Sequence, residues 1–275
     1  QETTFIVDCS AMAKELGMTG EEAGRKARYD SFFETAEKVT GEYCGGNPDF
    51  AYDHVKIAVA HNANDQAETI LFRLLRGTGT DGLAGMAYER EETRNDRTYK
   101  IIRPLLDTWR YDIEKYCEEQ ELAPVIDHTN NEEIYSRNRI RLDLIPYLEE
   151  KYNENIMDGM LRLGRIAAQD RDYFRYAAME KFDELRIMKD RTGTAFGDDM
   201  IVLDRQGLAD CHLALRHRVM LKAFGDLGLT RDITAERIDA ADVIIEKKQG
   251  EKYVEFPHGY RLTVARGKVS FERRK

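Results

Sequence analysis

The chain has 275 residues, 42% of them apolar and 34% charged, against roughly 25% charged in an average soluble domain. With 9% aromatic residues it is no disordered polyelectrolyte, and no apolar run approaches the roughly 18 residues of a membrane-spanning helix. The net charge of −9 is uneven: residues 1–150 hold 18 basic and 30 acidic side chains, residues 151–275 hold 24 and 21. From Glu251 to Lys275 there are 7 basic and 3 acidic residues, so either the second half meets a polyanion or two unlike domains are joined. No basic-then-apolar leader opens the sequence. Cys9, Cys44, Cys117 and Cys211 stand far apart without a C-x-x-C pair, which points to a reducing cytoplasm and away from a disulfide framework or structural zinc.

Taken in order, Thr3–Val7 is a β-branched apolar run that predicts a strand. Thr19 and Glu22 form a capping box that opens a helix to about Val39, and Gly41–Asp53 reads as a loop. Val55–Ala60 is a short continuous apolar run, the pattern of a strand buried in a parallel sheet, followed by a helix from Asp65 to Arg76 and a glycine-rich loop to Gly85. Glu89–Thr98 reads as a solvated connection, and Tyr99–Arg103 as a second strand closed by Pro104. Helices are predicted at Trp109–Gln120 and Ser136–Glu150. A long one follows from Asn155 to Met188, with Ile156, Met160, Leu163, Ala167, Phe174, Ala178 and Leu185 at helical spacing. Beyond Gly193 come a strand at Met200–Leu203, helices over Gln206–Leu227 and Thr234–Lys247, and a small antiparallel sheet over Lys252–Arg273. Its turns are signalled by Pro257-His258-Gly259 and Arg266-Gly267-Lys268. The expected fold class is α/β: a doubly wound parallel-sheet domain over 1–150, then a linker helix and a mainly helical domain with a small antiparallel sheet over 151–275.

Chemistry concentrates after the Val55–Ala60 strand, in His61-Asn62-Ala63-Asn64-Asp65-Gln66-Ala67-Glu68-Thr69. Ligands of open α/β sheets sit beyond the carboxyl ends of strands. Asp65 has two readings: an N-cap with Glu68 completing its box, or a site carboxylate that, with His61, organises Mg²⁺ and nucleotide phosphates. Gly77-Thr78-Gly79-Thr80-Asp81-Gly82 matches G-x-G-x-x-G but follows a helix instead of a strand. Gly77 is therefore read as a left-handed cap, and the dinucleotide fingerprint is rejected. That loop can still cover a ligand, with Arg73 or Arg76 supplying charge. Arg137 and Arg141 share a helix face, suited either to bidentate phosphate binding or to salt bridges with Glu132 and Asp143. Asp127-His128-Thr129-Asn130 precedes them. Arg25 and Arg28 read as a solvated face, and His212, His217 and His258 as isolated side chains.

Together these segments resemble the tRNA(Ile)-lysidine synthetases of the PP-loop ATP pyrophosphatase superfamily. Ala60-His61 through Thr69 is similar to that family's A-H-H-x-D-D-Q-A-E-T, and Leu74 through Met86 to its L-L-R-G-x-G-x-x-G-L-x-G-M. Ile102-Arg103-Pro104-Leu105-Leu106, Arg137-Asn138-Arg139-Ile140-Arg141 and Glu21-Glu22-Ala23 with Arg25, Arg28 and Tyr29 match further segments. Asn62 and Asn64 stand where the family has His and Asp, and its S-G-G-x-D-S loop is absent. The sequence is therefore expected to begin partway through the catalytic domain and to stop before a further C-terminal domain. The resemblance implies adenylation of the wobble cytidine of a CAU anticodon in tRNA(Ile) by ATP, then attack by free lysine. It implies Asp65 as Mg²⁺ ligand and His61 in the nucleotide pocket, with Arg76, Gly77 and Gly79 beside them. Arg28, Arg137 and Arg141 would act on ATP phosphates or the activated cytidine, residues 151–275 would hold the tRNA, and assembly as a homodimer is allowed. The alternatives are a tRNA-binding fragment without catalysis, or another PP-loop tRNA-modifying enzyme. A thiolase is disfavoured by the lack of paired cysteines.

Overall fold

The first element is a helix, α1 (Cys9–Leu16), whose N-terminus is capped by Asp8 accepting from the Ser10 and Ala11 amides and which ends at Gly17, φ +64°. The predicted strand at Thr3–Val7 is not formed: these residues are exposed and pair with no strand among the described residues. Propensity alone does not make a strand without a partner to take its hydrogen bonds. The computed structural model describes residues 3–43, 45, 54–95, 97–124, 136–188, 196–197, 199–247 and 250–274, and divides into two units, Gln1–Ala168 and Gln169–Lys275. Cys44, most of the Gly41–Asp53 loop, Asp127–Asn130 and Glu132 lie outside the described residues.

In the first unit the Thr19–Glu22 capping box forms as read: Glu22 Oε2 accepts from the Thr19 amide (2.8 Å), and Thr19 Oγ1 from the Glu22 amide (3.2 Å). It launches α2 (Gly20–Tyr43), which buries Tyr29, Phe33 and Ala36 against Ile57, Tyr99 and Ile101 of the sheet. That sheet has the order β1-β3-β2, with β1 (Lys56–Ala58) parallel to β3 (Arg97–Ile102) through Ile57↔Ile101. The segment read as a connection, Glu89–Thr98, is instead a hairpin arm: β2 (Glu89–Arg94) runs antiparallel to β3. Its Glu and Arg side chains alternate between exposed and half-buried positions, an edge strand carrying charge in place of apolar alternation.

Helix α3 (Ala63–Leu75) follows β1 and buries Ala63, Ala67, Ile70 and Leu71. After it come α4 (Thr80–Leu83) and, beyond the hairpin, α5 (Arg110–Glu119). The predicted Ser136–Glu150 helix is α6 (Ser136–Arg139), a π turn over Ile140–Leu144, and α7 (Ile145–Lys151). Pro146 accounts for the widening: it has no N–H to donate, and in a regular helix its ring meets the Leu142 carbonyl. The Ile145 amide bonds the Ile140 carbonyl in the π pattern.

Helix α8 (Ile156–Leu185) begins in the first unit and ends in the second. There β4 (Met200–Asp204) is followed by two helices, α9 (Arg205–Asp210) and α10 (Leu213–Asp226), where one had been read. His212 breaks them by capping α10, its Nδ1 accepting from the Ala214 amide. Then come α11 (Ala235–Glu246) and strands β5 (Lys252–Glu255), β6 (Tyr260–Ala265) and β7 (Lys268–Arg273), which complete a sheet of order β4-β7-β6-β5, antiparallel throughout. Phe182, Leu203, Val219, Phe224 and Phe271 form its core. Arg216, buried, donates to Asp242 (2.7 Å), Glu246 (3.0 Å) and the Ala209 and Cys211 carbonyls, tying the three helices together. Among the described residues no helix is long and apolar enough to cross a membrane.

Candidate functional site

Three residues beyond β1, the chain turns into α3 through a capping box displaced from the one read in the sequence. Asn62, not Asp65, is the N-cap: its Oδ1 accepts from the Asp65 amide (3.1 Å), and Asp65 Oδ2 accepts from the Asn62 amide (3.0 Å). Asp65 thus serves the cap from position N3. Asn64 Oδ1 accepts from the Arg110 amide, joining the start of α3 to α5.

One turn further, Glu68 is buried to 1% exposure. A carboxylate there needs cationic or hydrogen-bonding partners. Arg141 supplies them in a fork, Nε to Oε1 at 2.6 Å and Nη2 to Oε2 at 3.0 Å, and its Nη2 also lies 3.5 Å from Asp65 Oδ1. This pairing holds the Arg141 guanidinium above its ordinary pKa, chiefly through the Glu68 hydrogen bonds. Arg137 Nη2 donates to Thr69 Oγ1 at 2.6 Å and its Nε lies 3.8 Å from Glu68. The partners of these arginines are therefore carboxylates and a hydroxyl of α3. Arg141 is sequestered between two carboxylates. Arg137 keeps a third of its side chain open to solvent.

His61 sits at this junction with its Nδ1 buried and without a hydrogen-bond partner among the described residues. Burial, opposed by Asp65 and reinforced by Arg103, Arg137 and Arg25, lowers its pKa below the usual imidazole value. It is neutral at pH 7. Arg103, at the end of β3, is 5% exposed and donates Nη1 to the Ala87 carbonyl (2.7 Å). Burial is the largest of the influences that lower the Arg103 pKa, while Tyr29 opposes it. Arg25 lies over the Tyr29 ring at 4.9 Å. Around His61 the structure thus gathers four guanidinium groups, two carboxylates and a neutral imidazole, an excess of positive charge suited to a polyanion.

Arg28 is exposed on α2. Arg76, Gly77 and Gly79 are at the far end of α3, about 16 Å along the helix axis from Asp65. Gly77 has φ +75°, the left-handed conformation expected of it, and Gly79 caps α4. Arg76 stacks over Phe72 (4.9 Å) on the wall of a groove of about 570 Å³ shared with Arg139 and Tyr147. Arg73, on the same turn, donates to the Gly82 (3.0 Å) and Gly85 (2.8 Å) carbonyls, and Gln66 brackets the Met86 amide and carbonyl. These bonds clamp the glycine-rich loop to α3. Glu68 and Arg103 join the site without having been legible in the sequence as site residues. The available signal for Glu68 was a carboxylate flanked by Ala67, Ile70 and Leu71, all core positions that leave it no solvent.

The residues do not fit a protein-held Mg²⁺. Asp65 is engaged by an amide and a guanidinium, Glu68 is held by Arg141, and no group of three or more His, Cys, Asp or Glu among the described residues is placed to hold a metal.

Basic side chains gathered beyond the carboxyl ends of parallel strands, at the start of a capped helix, stand where open α/β sheets bind their ligands. A PP-loop domain matches residues 3–148, and the chain belongs to that family. It is similar to the tRNA(Ile)-lysidine synthase of Clostridioides difficile (strain 630), 38% identical over 205 residues, 74% of this chain and 38% of the relative. That of Clostridium acetobutylicum is 41% identical over 203 residues (72% and 40%), and that of Clostridium tetani 35% over 252 residues (91% and 48%). The chain therefore spans between about two fifths and one half of the length of these relatives.

Proposed function

We propose that this chain belongs to an ATP-dependent ligase that joins lysine to C2 of the wobble cytidine in a CAU-anticodon tRNA(Ile). The observation that carries the reading is the family match to relatives named tRNA(Ile)-lysidine synthase, on a chain that gathers guanidinium groups at the strand ends. In the first step the cytidine C2 oxygen attacks the α-phosphorus of ATP, and the bond to pyrophosphate breaks. In the second the lysine amine attacks C2, loses a proton, and AMP leaves with the C2 oxygen.

Each residue has a part in this scheme. Arg137 and Arg103 offset charge on the phosphates as pyrophosphate departs. Asp65 and Glu68 hold Arg141 and fix the arginine helix against α3, so they are positioning residues. The neutral His61 stands beside the nucleotide without adding charge to the site. Mg²⁺ enters with ATP as part of the substrate and supplies further charge neutralisation there. Residues 151–275, with their basic excess, hold the tRNA, and the reaction runs in the cytoplasm.

The test is tRNA adenylation. The gene product containing this sequence is incubated with α-labelled ATP and CAU-anticodon tRNA without lysine. Label on the tRNA with stoichiometric pyrophosphate release supports the reading. Pyrophosphate release that ignores tRNA, or no label on tRNA, overturns it.

A further inference from the structure

The second unit carries a cleft of about 400 Å³ whose walls include Arg205, Lys247, Glu251, Val264 and Arg266. Three cations face one carboxylate. Arg205 is held rigidly: Nη1 donates to the Ile245 carbonyl (2.8 Å), Nη2 to Gln206 Oε1 (3.0 Å), and its amide bonds the Gly267 carbonyl (3.1 Å). The bond to Ile245 also covers the negative carboxyl end of α11 beneath the cleft. Lys247 and Arg266 are exposed, and neither has an ion-pair partner among the described residues.

Arg266 occupies an unusual place. Ala265 pairs with Lys268, so Arg266 and Gly267 are the two turn residues of the β6–β7 hairpin, with φ +50° and +76°. Such turns favour Asn-Gly, and an arginine gives up backbone comfort to stand there. What it supplies is a cation at the tip of the turn, on the cleft wall. The apolar wall offers little to a peptide, since Val264 is buried and Ala265 is small.

We propose that this cleft is a phosphate-binding site that takes the RNA backbone, with Arg205 as its fixed base and Lys247 and Arg266 as its exposed donors. The proposal rests on the tRNA reading given above and names where in the second unit the tRNA backbone is held.

The test compares the full chain with the double variant Lys247→Gln/Arg266→Asn, by filter binding of CAU-anticodon tRNA across a series of salt concentrations. Asparagine adopts the left-handed turn conformation more readily than arginine, so the variant retains its melting temperature and a loss of binding is not a loss of fold. The expected result is a drop in affinity of about tenfold or more, and a log–log salt slope shallower by about one for each lost phosphate contact. Unchanged affinity and slope overturn the cleft while leaving the ligase reading intact, because adenylation is assayed separately. If inorganic phosphate titrates the wild type but not the variant while tRNA affinity is equal in both, the cleft serves a free anion and the RNA proposal fails. Wild-type protein that binds no tRNA overturns both.

Discussion

Removing Arg141 strands a carboxylate that has almost no contact with water. Glu68 is 1% exposed and takes both oxygens' hydrogen bonds from one guanidinium, at 2.6 and 3.0 Å. Breaking a buried pair from one side costs about 3–5 kcal/mol, because the remaining charge is uncompensated. The Arg141 side chain is 27% exposed, so water reaches part of the vacated space, and Arg137 stands 3.8 Å from the same carboxylate. Arg141→Ala is therefore expected at the lower end, about 3 kcal/mol. For a unit of 168 residues that corresponds to a fall in Tm of roughly 6–12 °C. Calorimetry of the wild type, Arg141→Ala and the double variant Glu68→Gln/Arg141→Met measures it. The double variant leaves neither member of this pair charged and must lose less than Arg141→Ala alone. An Arg141→Ala transition at the wild-type temperature, or a double variant less stable than the single one, refutes the reasoning.

Other perturbations separate ligand binding from fold. Arg137→Ala leaves stability within about 1 kcal/mol, since it hydrogen-bonds the neutral Thr69, stands 3.8 Å from a Glu68 that Arg141 still holds, and is partly solvated, yet weakens ATP binding to the gene product about tenfold, read by calorimetric titration. Because the His61 pKa is lowered in the folded chain, the unfolded chain takes up a proton first as pH falls through the ordinary imidazole range near 6.5. The His61 contribution is complete above that value and is lost as pH falls through the lowered folded pKa. A His61→Asn variant shows a flatter Tm over that interval, and an NMR titration places the ring's midpoint below 6.5. Identical pH profiles for the two proteins contradict this. Gly85→Ala sets a methyl 2.7 Å from the Gln66 amide at φ +65° and lowers stability by about 1–2 kcal/mol, measured by denaturant unfolding.

The elements legible in the sequence were those whose cause is local. The Thr19–Glu22 box, the apolar run before His61 and the left-handed Gly77 each follow from neighbouring residues, and the structure places them as read. What depended on a tertiary partner was not legible. Thr3–Val7 has strand propensity without a paired strand among the described residues, whereas Glu89–Arg94 lacks apolar alternation but finds β3 beside it. Spacing placed Arg137 and Arg141 on one face of a helix, but nothing local says that the facing residues are Asp65, Glu68 and Thr69. The helix capped by Asn62 shows the smaller error: its box lies three residues before the Asp65–Glu68 pair read in the sequence, because Asn62 takes the extended cap conformation.

The most direct measurement of the central claim is the mass of the wobble nucleoside. The gene product containing this sequence is incubated with ATP, Mg²⁺, CAU-anticodon tRNA and either ordinary or carbon-13 lysine, and the digested nucleosides are weighed. The account predicts a modified cytidine at the wobble position whose mass rises with the isotope content of the lysine. An unmodified cytidine on tRNA that the protein still binds, or a modification whose mass ignores the label, contradicts it.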